Sequence, residues 1–166
     1  PRVHFGFIGS YSDKASVGPF ERFVLGGDGL TGQNFILGTD VIGLRGYPNP
    51  QQSARKETSL TPFDRETNIL GGIAFTKYIL ELRYPVSLNP TATIYLLTFV
   101  EGGNNWNNSE AYNPYKLYRS AGIGARIFMP AFGLLGIDYG YGFDAIPGTS
   151  ERSGGQFHFS IGQQIR

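Results

Sequence analysis

The chain has 166 residues with 24 Gly, 10 Pro, 10 Tyr, 13 Phe and no Cys, and its 14 Lys+Arg against 13 Asp+Glu leave a net charge of +1. That balance carries no basic footprint for nucleic acid. The lack of Cys excludes disulfides and thiolate metal sites, and no apolar run reaches the ~18 residues of a transmembrane helix.

Six strand-like segments follow in chain order. The first is roughly Val3–Asp13, with Val3, Phe5, Phe7 and Tyr11 on one phase and His4, Gly6, Ser10 and Ser12 on the other. The second, roughly Gly72–Pro85, sets Ala74, Tyr78, Leu80, Leu82 and Tyr84 against Lys77, Glu81 and Arg83. The third runs from about Ala92 to Gly103. The fourth, about Leu117 to Met129, alternates Ala121, Ile123, Ala125, Ile127 and Met129 with Gly122, Gly124, Arg126 and Phe128. The last two are the most regular. Leu135, Ile137, Tyr139, Tyr141 and Phe143 alternate with Gly136, Asp138, Gly140, Gly142 and Asp144; then Phe157, Phe159 and Ile161 alternate with Gln156, His158, Ser160, Gly162 and Gln164.

A period of two places each set on one face of a β-strand. The aromatic-rich set suits lipid. The other set is small and polar, and its size and character predict a hydrated lumen rather than a packed layer. Spans of about 9–11 residues suffice for a tilted strand to cross a bilayer. A mean hydropathy of −0.17 does not argue against this, because alternation averages to a soluble-looking value. The expected fold is therefore all-β, a transmembrane antiparallel β-barrel. Tyr11, Tyr84, Tyr139, Tyr141 and Phe143 are candidates for an aromatic girdle at the bilayer interface.

The connections alternate too. Short Pro-containing turns are expected at Pro85–Pro90 and Pro130–Gly133, and longer polar loops at Asn104–Tyr115 and Ala145–Gly154, the habit of outer-membrane barrels. The connection over about 14–71 is anomalous, being far longer than the ~12–15 residues that loops without structure of their own usually reach. It holds apolar stretches (Phe35, Ile36, Leu37; Val41, Ile42, Leu44) and is expected to fold back and pack against something. Six strands cannot close a membrane sheet, because open edges in lipid leave costly unpaired groups and barrels start at about 8 strands. Residue 1 is Pro with no leader ahead of it, so the chain is expected to be a piece of something larger.

Within the long connection stands Gly43-Leu44-Arg45-Gly46-Tyr47, preceded by Gly26-Gly27-Asp28. It resembles the Val-Arg-Gly-Phe/Tyr motif in an extracellular loop of the outer-membrane insertase superfamily, which includes the barrel-assembly factors and the two-partner secretion pores. In that family the motif's Arg meets acids on the next two strands. Ile79-Leu80-Glu81-Leu82-Arg83-Tyr84-Pro85 is similar to the first acidic stretch and points to Glu81. Phe99-Val100-Glu101-Gly102-Gly103 is similar to the family's Phe-x-Asp-x-Gly and points to Glu101, with Glu in place of Asp. Both fall on the polar phase. The C-terminal stretch, with Phe157, Phe159, Ile161, Gly162 and Ile165, resembles the β-signal of a final barrel strand, although Ile165 and Arg166 stand where a terminal aromatic is usual.

The resemblance covers nearly the whole chain. It implies the last six of about sixteen strands, with residues 1–166 the C-terminal portion of the barrel domain, a lumen-inserted loop over about 14–71, and the first strands and periplasmic POTRA domains outside this chain. It further implies a central insertase in the bacterial outer membrane, not an enzyme, without cofactor or metal, that folds and inserts other β-barrel proteins at a lateral seam beside the last strand. Implied partners are the remaining strands of the barrel, outer-membrane lipid, nascent barrel clients and accessory assembly lipoproteins. The alternatives are a two-partner secretion pore of the same superfamily and, from another class, a passive porin.

On this reading the Arg45 guanidinium, a planar fork suited to carboxylates, pins the loop to the wall through Glu81 and Glu101. In a wet lumen such charged hydrogen bonds are worth about 1–3 kcal/mol. Gly43 and Gly46 let the backbone turn beside it. His4 and His158 lie on the inward phase without a second ligand or a Ser-His-Asp context, and are read as lumen-facing polar residues. Asp138 and Asp144 are read the same way. Gly26-Gly27-Asp28-Gly29 lacks the strand–helix context of a phosphate loop.

Overall fold

The computed structural model describes residues 1–9, 17–18, 21–27, 40–49, 60–64, 69–89, 92–129 and 133–162. Ten strands occur among them, in chain order β1 (Arg2–Phe7), β2 (Phe23–Leu25), β3 (Asp40–Ile42), β4 (Phe63–Asp64), β5 (Ile69–Leu70), β6 (Ala74–Asn89), β7 (Ala92–Trp106), β8 (Tyr118–Met129), β9 (Gly133–Ala145) and β10 (Arg152–Gly162). The protein is all-β. Six strands form one sheet in the order β1-β6-β7-β8-β9-β10, with every neighbour antiparallel. This is an open section of a β-barrel wall, and β1 and β10 are its edges.

Alternation sorts the side chains onto two faces. On the outer face Phe5 is 80% exposed, Leu82 69% and Phe157 78%, with Val3, Phe7, Leu80, Tyr84, Val100, Ile123, Phe159 and Ile161 also exposed. A continuous apolar surface of that extent marks contact with another apolar phase. Tyr84, Tyr139, Tyr141 and Phe143 lie on this face, and Tyr139 packs on Phe157 with ring centroids 4.8 Å apart. Tyr11 lies outside the described residues.

Three expectations about the connections need correction. Pro85 is not in a turn: β6 continues to Asn89 and β7 begins at Ala92. Pro lacks the N–H a central strand needs, and here the register shifts between Pro85 and Ser87, a bulge that tolerates the missing donor. β7 likewise continues past Gly103 to Trp106, so the next loop starts later. β10 begins at Arg152, inside the stretch expected to be loop.

The long connection is not structureless. β2 and β3 pair in parallel, β4 and β5 antiparallel, and Leu25, Leu44, Tyr47 and Leu60 form a small buried core with Ile42, Tyr118 and Ile146 against it. Thr61 ties this core together, its hydroxyl accepting from Leu25 N at 2.7 Å and donating to Leu25 O at 3.2 Å. Phe23 and Gly72 exchange backbone hydrogen bonds of 2.8 Å, and Asn105 Nδ2 donates to Phe23 O. The loop is thereby stitched to the ends of β6 and β7. Phe35, Ile36 and Leu37 lie outside the described residues.

Candidate functional site: a loop clamped to the inner wall

Strand register brings the inward residues into rows that cross the sheet. One row reads Ile79–Glu101–Ser120–Gly142–Gly154, the next Glu81–Phe99–Gly122–Gly140–Gln156, and the third Arg83–Leu97–Gly124–Asp138–His158. Glu81 and Glu101 are thus diagonal neighbours on adjacent strands, and Arg45 reaches both. Its Nε and Nη2 donate to Glu101 Oε1 at 2.9 and 2.6 Å, and Nη2 also donates to Glu81 Oε2 at 3.1 Å. Glu101 Oε2 accepts from the Arg45 backbone N–H at 3.0 Å and lies 3.4 Å from Lys77 Nζ. Both oxygens of Glu101 are therefore committed to cations or backbone. Lys77 Nζ donates in turn to Gly43 O, just ahead of the motif.

The charges continue beyond the two expected acids. Asp138 lies 3.6 Å from Arg45 Nη1 and accepts from both terminal nitrogens of Arg126 at 2.9 and 2.7 Å. Glu81 also accepts from Arg83 Nε at 2.6 Å. The Arg45 guanidinium carbon sits 3.7 Å from the centroid of the Phe99 ring, a cation–π contact that also seals one side of the clamp. Burial disfavours the Arg45 charge, but Glu101 beside it, with Asp138 and Glu81, more than offsets this and holds its pKa above the ordinary value.

The wet lumen expected from the sequence does not reach the centre of the clamp. The side chain of Arg45 is 11% exposed and that of Glu101 1%. Small inward residues on β8 and β9 form a trench, and the loop fills it. A Cβ at Gly140 would lie 2.6 Å from Gly46 N, and one at Gly142 2.6 Å from Gly46 O. Gly122 leaves room for the Phe99 ring, and Gly124 for the Asp138 carboxylate. Gly46 itself adopts φ +88°, a left-handed conformation that side chains disfavour. The inward glycines thus pack against loop backbone at Gly140 and Gly142 and against side chains at Gly122 and Gly124, rather than against water.

Of the other motif residues, Leu44 and Tyr47 are fully buried in the loop core. Phe157, Phe159 and Ile161 are on the outer face of β10, pointing away from the clamp. Gly162 ends that strand, and Ile165 lies outside the described residues. Among the described residues no group of three or more His, Asp or Glu is placed to share a metal ion.

An open antiparallel sheet with a lipid face and a loop clamped through Arg45 is one section of a known architecture. A family model described as the Omp85 superfamily domain matches residues 1–165. The chain belongs to the Omp85 superfamily. Omp85 proteins are outer-membrane β-barrels with insertase or secretion functions. Comparison with curated proteins found no match.

Several residues of this Omp85 site escaped the sequence reading. Phe99 was visible as an aromatic on the phase of Glu101, two residues before it. Asp138 is a third acid on that phase. His158 and Ser153, on β10, could not be tied to a loop a hundred residues away without the fold. Tyr47 carries a further consequence. Its hydroxyl donates to Arg119 O at 2.8 Å and accepts from Asp144 N at 3.3 Å, and burial pushes its pKa from 10.0 up to about 12. The folded state therefore keeps this proton where the unfolded chain loses it, so stability is whole below pH 10 and falls as pH rises toward 12. Tyr47→Phe is expected to cost about 1 kcal/mol at neutral pH and to flatten that alkaline decline, as read by denaturant titration at a series of pH values.

Proposed function

We propose that this chain is the C-terminal part of the barrel of a BamA-like assembly factor, which folds and inserts other β-barrel proteins into the outer membrane without covalent chemistry of its own. The observation that carries the proposal is β10 itself, laddered to β9, turning an exposed apolar face outward and tied from its inner face to the clamped loop. An unpaired edge templates strand addition through its backbone groups. At a lateral seam, that edge could pass its ladder to a nascent client strand within lipid. The clients are unfolded barrel proteins, and accessory lipoproteins are expected to assist.

A secretion pore of the same superfamily would instead pass an unfolded chain through the lumen. The clamp is common to both readings, because the motif and its acids are shared across the superfamily; client folding and chain transport separate them. The test is reconstitution of the full-length protein in liposomes with a urea-unfolded β-barrel client. Faster client folding, read by heat-modifiable mobility and protease protection, supports the assembly role. Transport of an unfolded secreted chain across the bilayer with no gain in client folding would overturn it in favour of the pore.

A further inference from the structure

The motif does more than carry Arg45. Both backbone polar groups of Gly46 are held by side chains of the last strand. Gly46 N–H donates to His158 Nε2 at 3.0 Å, and Ser153 Oγ donates to Gly46 O at 2.7 Å. Because a backbone N–H can only donate, His158 Nε2 is the acceptor and the neutral ring carries its proton on Nδ1. His158 lies on the inward phase in register with Asp138, but Ser153 is one residue out of phase with it. Ser153 faces the loop because the β9–β10 register shifts between Arg152 and Gly154 and Gly154 takes φ +71°. A bulge of this kind re-aims a side chain. Gly46 in turn lies flat over Gly140 and Gly142, where even a methyl group would collide with its backbone.

From this geometry we infer that His158 and Ser153 are positioning residues that latch the last strand to the clamped loop through the Gly46 peptide. β10 has a ladder on one edge within this sheet. The latch gives it a second attachment, made from its inner face, that does not depend on either edge. Arg45 fixes the loop to β6 and β7, and Gly46 transmits that anchorage to β10. The rate at which the seam strand loosens is then set by two side-chain hydrogen bonds rather than by the ladder alone. The consequence for client insertion rests on the assembly-factor reading; the latch itself does not.

The test is amide hydrogen exchange on the full-length protein in detergent or lipid, with client assembly measured in parallel. His158→Leu removes the acceptor and strands a buried donor, and Ser153→Ala removes the second bond. Each is expected to speed exchange of β10 amides by about tenfold, with β6–β7 amides unchanged. His158→Gln, whose Oε1 can accept at nearly the same reach, is expected to restore most of the protection, which a merely space-filling role would not require. Unchanged β10 exchange, equal acceleration in every strand, or a Gln variant no better than Leu would each overturn the latch. If β10 loosens selectively while client assembly keeps its wild-type rate, the latch stands and the assembly reading fails.

Discussion

Arg45→Ala is expected to destabilise the protein by about 3–5 kcal/mol, the usual penalty for removing one partner of a buried ion pair. The size follows from what would remain. Glu101 is nearly inaccessible to water and would lose both guanidinium hydrogen bonds on Oε1, keeping a backbone N–H and Lys77 on Oε2. Glu81, more exposed and also held by Arg83, would lose less. Phe99 would lose the cation stacked on it. Arg45→Lys is expected to fall between, because an ammonium keeps the charge but not the fork that grips Glu101 with two nitrogens and Glu81 with one of them. The check is a denaturant midpoint by tryptophan fluorescence, with far-ultraviolet circular dichroism to establish that the strands persist. A midpoint equal to wild type for Arg45→Ala would mean the clamp adds nothing, and the same experiment on Glu101→Gln would show whether the acid or the base dominates.

How far this arrangement could be read from the sequence depends on which physical signal each part leaves. The strands were legible because alternation survives in any strand with one face in lipid and one facing in, and β8, β9 and β10 show it over most of their length. Arg45, Glu81 and Glu101 were legible as a group through family resemblance, and their phases agreed with it. Their contact geometry was not. It depends on cross-strand register, which in β6–β7 is offset by the bulge at Pro85–Ser87, and a Pro there reads locally as a turn.

The larger misreading concerned the glycines. A small polar phase is compatible with water or with a closely approaching backbone, and sequence periodicity cannot separate the two. Only the loop's position over Gly140 and Gly142 decides it. β2 to β5 were illegible for a simpler reason, since strands of two or three residues are too short to display a period. Ser153 defeats the periodic reading altogether, because a register shift turns it toward the loop against its phase.

The trench supplies the second large effect. Gly140→Ala is expected to expel the motif from the wall, since the added methyl would sit 2.6 Å from Gly46 N, 2.9 Å from Gly46 Cα and 3.1 Å from the Arg45 carbonyl carbon. All three are backbone atoms, so no rotamer change relieves the clash. The loop would have to lift, stretching the Arg45 bonds and the Gly46 contacts with β10 together. Overpacking of this kind costs about 1–3 kcal/mol, and coupling to the clamp places Gly140→Ala at the upper end.

Gly103→Ala is the matched control. It lies on the same inner face, yet its Cβ would meet Thr76 O at 3.4 Å and Leu44 Cδ1 at 3.5 Å, ordinary contact distances. Removing the backbone entropy of a strand glycine is itself worth up to about 1 kcal/mol, so this variant should match or exceed wild type. Limited proteolysis within the long connection, alongside the denaturant midpoint, separates the outcomes: rapid cleavage in Gly140→Ala with wild-type resistance in Gly103→Ala places the loop in the trench. Equal resistance in both would show that the inner glycines face water after all, and the clamp would then have to be holding a loop that barely touches the wall around it.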